Sequence, residues 1–292
     1  MKKIFSHISL CMAIVMIFTM FKYDFVNADT IASDNWITAC LSDYEPLQSL
    51  LEEYPDAKLV QTSTTYILNK VTVDDKGNIL KREEKKFPSL SSLEKYEEMS
   101  KKSDVLMPNT VRDGGETYTD YSKIRIGLAL YRYSSTRFFV ASTYEWLEPF
   151  DYDYLLEYKA AVGLAVGDGL SMEGSSYAGR VTMTNIRGDI IQKTNGNGLR
   201  IQATGAYGIG YSFTQKAQRD GVIKHMQGVI SCTAYKTSSA ITNCPAYGEY
   251  ADVSFSLDLD NFSVSIPAGI SFNLFTSYTA YSHQDNLDLY IN

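Results

Sequence analysis

Histidine is almost absent from this chain of 292 residues, with three in all, and there are only two tryptophans, seven prolines and four cysteines. Histidine is the usual general base near neutral pH. Beyond the first 28 residues only His225 and His283 remain, and neither sits in a Gly-x-Ser-x-Gly, His-Glu-x-x-His or Cys-x-x-Cys context. A serine or cysteine hydrolase and a zinc or EF-hand calcium protein are therefore not expected, and no cofactor or metal is assigned. Basic clusters are also missing. Excluding residues 1–28 removes Lys2, Lys3, Lys22 and Asp24, leaving 24 Lys and Arg against 33 Asp and Glu, a net charge near −9. Such a chain has no electrostatic footprint for nucleic acid or for an anionic membrane surface.

The longest apolar run, Ile8 to Phe21, follows Lys2 and Lys3 and precedes Val26-Asn27-Ala28. This is the layout of a secretory signal peptide over residues 1–28, and the run is short for a membrane span. With no lipobox at Cys11 and no Leu-Pro-x-Thr-Gly motif, the expectation is a secreted, extracellular protein of a Gram-positive bacterium. Export permits oxidation. Of Cys40, Cys232 and Cys244, the pair Cys232 and Cys244 is the favoured disulfide, closing a short polar loop and leaving Cys40 over.

Two composition regimes follow. Residues 29–112 read as a small α+β unit. Leu47, Leu50, Leu51 and Tyr54 have the spacing of one helical face over Asp43 to Pro55. Lys58 to Val73 and Ile79 to Phe87 flank the turn residues Asp74 to Asn78 as a hairpin. Ser91-Ser92-Leu93-Glu94 has the form of a capping box for a helix reaching about Lys102. From Thr117 to Asn292 helical signals vanish. Ile124, Ile126, Leu128 and Leu130 alternate with Arg125, Gly127, Ala129 and Tyr131, then Ser134-Ser135-Thr136 turns into Phe139 to Trp146. Further strands are expected at Tyr158 to Val166, Gly179 to Thr184, Leu199 to Phe213, Val222 to Tyr235, Tyr250 to Leu259, Phe262 to Ile266, Ile270 to Tyr281 and Leu287 to Ile291, with Gly and Asn turns between them. The fold class is mainly β: an antiparallel β-sandwich or barrel-like domain, residues 117–292, preceded by the α+β unit.

Three functions fit. A binding module would use the 22 tyrosines, amphipathic rings suited to interfaces and sugars; Tyr144, Trp146, Tyr152 and Tyr154 are the candidate ligand-binding residues, with a glycan, a cell wall or a target-cell membrane as partner. A membrane-active protein would use the Ser/Thr-apolar alternation between Val253 and Phe275. A glycosidase would need paired carboxylates, for which Glu145, Asp151 with Asp153, and Asp258 with Asp260 are available. No catalytic residue is assigned, and a non-enzymatic binder is the first reading.

The hairpin with Tyr144-Glu145-Trp146-Leu147-Glu148-Pro149, followed by Val162-Gly163-Leu164-Ala165 and Asp168, together with Val253-Ser254-Phe255-Ser256 and Ile270-Ser271-Phe272, resembles a loosely defined group of secreted Gram-positive bacterial proteins, most uncharacterised and some bacteriocin-associated. The resemblance spans Thr117 to Asn292, implies an antibacterial or membrane-active role and carries no catalytic residues. In that case residues 29–112 would act as a restraint, released by cleavage between Asn109 and Gly115.

Overall fold

In the computed structural model the residues described are 35–74, 79–102, 111–113, 117–148, 158–185, 187–215, 223–253 and 280–291. The alternation of Ile124 to Leu130 with the Ser134 to Thr136 turn gives a long hairpin of β4 (Thr117–Arg132) and β5 (Arg137–Glu148). The Ser134 hydroxyl fixes that turn by accepting from the amides of Thr136 and Arg137. Ahead of it, β1 (Lys58–Asp74) and β2 (Ile79–Phe87) form the expected first hairpin. The chain continues through β3 (Val111–Asp113), β6 (Tyr158–Val166), β7 (Leu170–Met172), β8 (Ala178–Asn185), β9 (Ile190–Asn195), β10 (Gly198–Gly205), β11 (Gly208–Gln215), β12 (Ile223–Lys236), β13 (Asn243–Val253) and β14 (Ala280–Tyr290).

The strands run in the order β14-β13-β6-β11-β10-β9-β8-β12-β5-β4-β1-β2. All neighbours are antiparallel except β9 and β10, whose brief parallel contact at Gly198 and Leu199 lies at the corner where the sheet turns over. Gly196 and Gly198 adopt φ of +74° and +85° there, a conformation that glycine takes without Cβ strain. The curl brings β13 against β4 and β5, and β14 against β1 and β4, so one sheet makes two facing layers. Between them lies the main core. Ile124, Ile126, Leu128 and Leu130 of β4, Phe138, Val140, Tyr144 and Trp146 of β5, Ile230 and Cys232 of β12, Val162 and Leu164 of β6, and Tyr250 of β13 are all buried in it. This single curled sheet is the sandwich or barrel-like β domain expected from the alternation.

Among the described residues, three helices cover the outer face of the larger layer. Trp36, Ile37, Cys40 and Leu41 of α1 (Asn35–Leu41), with Tyr44 and Leu47 and Leu50 of α2 (Glu45–Glu53), bury Ala129, Tyr131, Phe139, Ala141 and Val229. Leu93 of α3 (Leu90–Lys102) packs with Tyr66, Leu68 and Phe87. The cap of α3 lies two residues before the expected box. Ser89 Oγ accepts from the Ser92 amide at 3.2 Å and Ser92 Oγ accepts from the Ser89 amide at 3.3 Å, which makes Ser89 the N-cap.

Two expectations are corrected. Residues 29–112 are not a separate unit. β1 pairs with β4 along its whole length, from Lys58 opposite Arg132 to Asp74 opposite Thr117, and residues 34–292 form one compact unit. A cut between Asn109 and Gly115 would have to undo that ladder and the helix-sheet core before the N-terminal piece could leave. With a protease site placed there, the two pieces should co-elute after cutting under native conditions; their separation would restore the restraint reading. The second correction concerns Cys232 and Cys244. Both are free thiols, as is Cys40. Cys232 sits on β12 opposite Val140, whereas Cys244 opens β13 opposite Leu289 and donates to the Gly167 carbonyl at 3.3 Å. Burial raises all three thiol pKa values, that of Cys40 to about 12. Buried, protonated thiols are poor nucleophiles. Alkylation should therefore spare these three cysteines in the native protein and modify all three in denaturant, without reductant; a thiol that appears only after reduction would show the disulfide after all.

Candidate functional site

Strand alternation puts Tyr144 and Trp146 on one face of β5, and that face is the interior. They are 3% and 4% exposed. Tyr144 packs on Tyr250 of the opposite layer with ring centroids 4.6 Å apart, and Trp146 meets the same ring edge-on at 5.5 Å. Neither ring reaches the surface, so these two positions hold the layers together and offer no face to an external ligand. Tyr152, Tyr154, Asp151, Asp153, Asp258 and Asp260, and the expected signal peptide over 1–28, lie outside the described residues.

The intervening residue Glu145 points the other way, to the helix-covered face, and gathers a polar cluster. Arg125, its direct partner on β4, donates from Nε at 2.7 Å and from Nη2, both to Oε2. His225 Nε2 donates to Oε1 at 2.7 Å from β12. The arginine lies under the Trp36 ring of α1 at 4.3 Å, and Trp36 Nε1 donates to Thr64 Oγ1 on β1. Register irregularities at Lys123/Ile124 and Ile223/His225 flank the cluster; such bulges re-aim side chains. Partial burial raises the Glu145 pKa, but the hydrogen bonds from His225 and Arg125 and the arginine charge outweigh it and hold the carboxyl below its ordinary range. A carboxylate held ionised with both oxygens engaged is unsuited to the general-acid role in glycoside cleavage. Its role here is to tie β4, β5, β12 and α1 together. A second arginine continues the clasp: Arg180 donates to the Cys40 and Asp43 carbonyls at 3.2 and 2.8 Å and to Asp43 Oδ1 at 2.7 Å, which satisfies the C-terminal end of α1.

Exposed recognition chemistry lies at the other end of the same helices. Tyr54 ends α2, its amide donating to Leu50 O at 2.8 Å, and Pro55 stops the helix. Its ring meets that of Tyr133, at the β4-β5 turn, with centroids 4.8 Å apart and planes tilted by 43°. Both rings are partly exposed and pack against the helix-sheet core with their inner edges. Beside them Arg137 Nη2 lies 3.6 Å from Glu173 Oε1, and Thr233 Oγ1 donates to Glu173 Oε2 at 2.9 Å. The Glu173 backbone is pinned in turn: its amide donates to Thr233 O, and its carbonyl accepts from Ser176 N and Oγ. Desolvation first, then the Glu173 charge, raises the Tyr133 pKa, so the ring keeps its hydroxyl proton. In the sequence Tyr54 reads as a helix-face residue and Tyr133 as one of 22 tyrosines. Glu173 carried no signal at all, since its partners are 36 and 60 residues away in the chain.

An open groove also lies between the β6-β7 turn and the start of β13, lined by Asp168, Ile241, Thr242, Asn243 and Pro245. Among the described residues no three His, Cys, Asp or Glu side chains are grouped to hold a metal ion, and no helix is long and apolar enough to cross a membrane.

No family model and no curated protein matches the chain. Solved structures do. The collagen-binding domain from a Staphylococcus aureus adhesin matches at 7% identity and a TM-score of 0.28, over 52% of this chain and 88% of that one. The T6 backbone pilin of serotype M6 Streptococcus pyogenes matches at 12% and 0.32, over 78% and 62%. A structure described as a pore forming protein matches at 8% and 0.27, over 62% and 96%. Likeness this distant says nothing about a ligand.

Proposed function

We propose that this protein works outside the cell as a non-enzymatic binding module that engages its ligand at the Tyr54–Tyr133 rim. The observation that carries the reading is the pairing of two partly exposed tyrosine rings with the Arg137–Glu173 couple on a pinned turn. Amphipathic rings on a rigid frame give contact area at low entropic cost. The leader-like residues 1–28 support the location. The test is a pull-down of residues 29–292 with purified cell walls, glycans and matrix proteins, comparing the native chain with Tyr54→Ala/Tyr133→Ala. Retention that the double substitution abolishes is the expected result; retention unaffected by it would place binding elsewhere.

A second reading, membrane activity, is favoured by one register. β13 and β14 pair from Asn243 opposite Tyr290 to Val253 opposite Ala280, so the intervening chain departs and returns at adjacent positions. Residues 254–279 lie outside the described residues. In sequence, Ser254, Ser256, Ser263, Ser265 and Ser271 alternate with Phe255, Leu257, Val264, Ile266 and Phe272, the dyad pattern of a membrane-facing β-hairpin. Dye release from liposomes that is lost when residues 254–279 are replaced by a short turn would put this reading first. Absence of release from the intact chain would remove it.

A further inference from the structure

The rim has a composition that points to one class of ligand, and this step rests on the reading that the rim is the binding surface. Three features define it. The Tyr54 and Tyr133 rings touch, with centroids 4.8 Å apart and planes tilted by 43°, and together they present one partly exposed apolar patch. Of the flanking charges, Arg137 and Glu173 sit 3.6 Å apart and offset each other, and the Glu53 carboxylate accepts from the Tyr54 hydroxyl, so the rim carries no excess of positive charge. Hydrogen-bonding capacity nonetheless remains: the Arg137 side chain is 51% exposed and a guanidinium has five N–H donors, while Glu173 still offers lone pairs beyond the one that takes the Thr233 hydroxyl.

We infer that the rim binds a neutral oligosaccharide, a sugar ring laying its C–H face on the tyrosines while its hydroxyls bridge Arg137 and Glu173. An apolar face with hydroxyls at its edge is what a hexose or an N-acetylhexosamine presents. A polyanion is disfavoured because Glu173 neutralises the local cation and the chain carries a net charge of −7. A proline-rich peptide, the other ligand that packs on tyrosine, docks into aromatic-lined grooves, which two touching rings do not provide.

The test is calorimetric titration of residues 29–292 with three probes: neutral gluco- and N-acetylglucosamine oligomers, a polyanionic glycan, and a proline-rich collagen-like peptide. The neutral oligomers should bind. Affinity should fall about tenfold in Tyr54→Ala or Tyr133→Ala, as expected when a stacked ring is lost. It should survive Tyr133→Phe, fall in Arg137→Met, and be unchanged in Ile190→Ala, which removes an exposed apolar side chain at the end of β8-β9 away from the rim. Raising salt should change it by less than about twofold, because neither a charged ligand nor released counterions are involved. Unchanged melting temperatures would confirm that the variants fold. Binding of the peptide or the polyanion alone, abolished by the tyrosine substitutions, would overturn the sugar inference and keep the rim. Neutral-oligomer binding that is indifferent to those substitutions would overturn the rim reading and this inference with it. Failure of all three probes would overturn the sugar inference alone wherever the cell-wall or matrix pull-down is still rim-dependent.

Discussion

Replacing Gly228 with alanine should cost about 3 kcal/mol of stability, the upper part of the range for overpacking a core, and valine should prevent accumulation of folded protein. Gly228 lies on β12 directly opposite Tyr144 of β5, and a Cβ added there would sit 2.2 Å from Tyr144 Cε1 and 2.6 Å from Cζ. The tyrosine ring lies across the glycine backbone and has no room to retreat, because Tyr250 of the opposing layer packs on its other side and Trp146 packs on Tyr250. For a domain of this size the alanine penalty corresponds to a fall of roughly 10 °C in Tm. The measurement is thermal unfolding of Gly228→Ala, Tyr144→Ala and the double variant. Once the ring is gone the alanine methyl has space, so the two losses should be strongly non-additive. A Gly228→Ala protein melting within about 2 °C of the parent, well inside the shift that this overpacking implies, would show that the layers are less closely seated than this contact requires.

The same contact explains what could be read from the sequence and what could not. Tyr144 and Trp146 share a face because they are two residues apart, and the period alone establishes that. It does not reveal which face meets solvent, because β5 is covered on both sides, by the opposite layer and by α1 and α2. Where a strand has two buried faces, alternation gives no contrast, and aromatic residues that look displayed are structural. The hairpins β1/β2 and β4/β5 and strand β6 were legible nearly to the residue, since long periodic runs end at Asp, Asn, Gly or Ser turns. β7 and β9 were missed: the first is three residues long and the second largely polar. α1 was also missed; seven residues from Asn35 to Leu41 show too few turns for a helical period to stand out. The expected single strand Leu199 to Phe213 is two strands, β10 and β11, folded at Ala206 and Tyr207. A flat apolar-polar pattern continues through the turn and only Gly205 and Gly208 mark it. The Arg125–Glu145 pair follows from the β4-β5 hairpin. His225 of the cluster and Tyr54 and Glu173 of the rim were not legible, because they come from elements whose adjacency to that hairpin is set by the crossover order and by helix packing.

Glu145→Gln should lower stability at neutral pH by about 2–3 kcal/mol, less than the loss of a fully buried partner because the cluster is partly open to solvent. The side chains of Glu145 and Arg125 are 14% and 17% exposed, so removing the carboxylate charge leaves a guanidinium that water reaches poorly. The cation would retain its stacking under Trp36 and lose its counter-ion, which loosens α1 first and with it the cover over Ala129, Phe139 and Val229. The pH dependence gives a sharper test than the magnitude. Because the folded carboxyl titrates below its ordinary value, its contribution is fully present above the unfolded pKa of about 4.3 and is lost as pH falls through the folded value. The native chain should therefore lose stability on acidification below about pH 4.3 more steeply than Glu145→Gln, which has no group there to titrate, and the two curves should converge at the acid end. His225→Asn should retain most of the neutral-pH stability, because Arg125 still holds Oε2. Curves that stay parallel from pH 7 to pH 3 would mean that Glu145 is no more stabilising as an anion than as an amide, and the clasp on α1 would then have to be assigned to Arg180 and the apolar contacts of Ile37 and Leu41 alone.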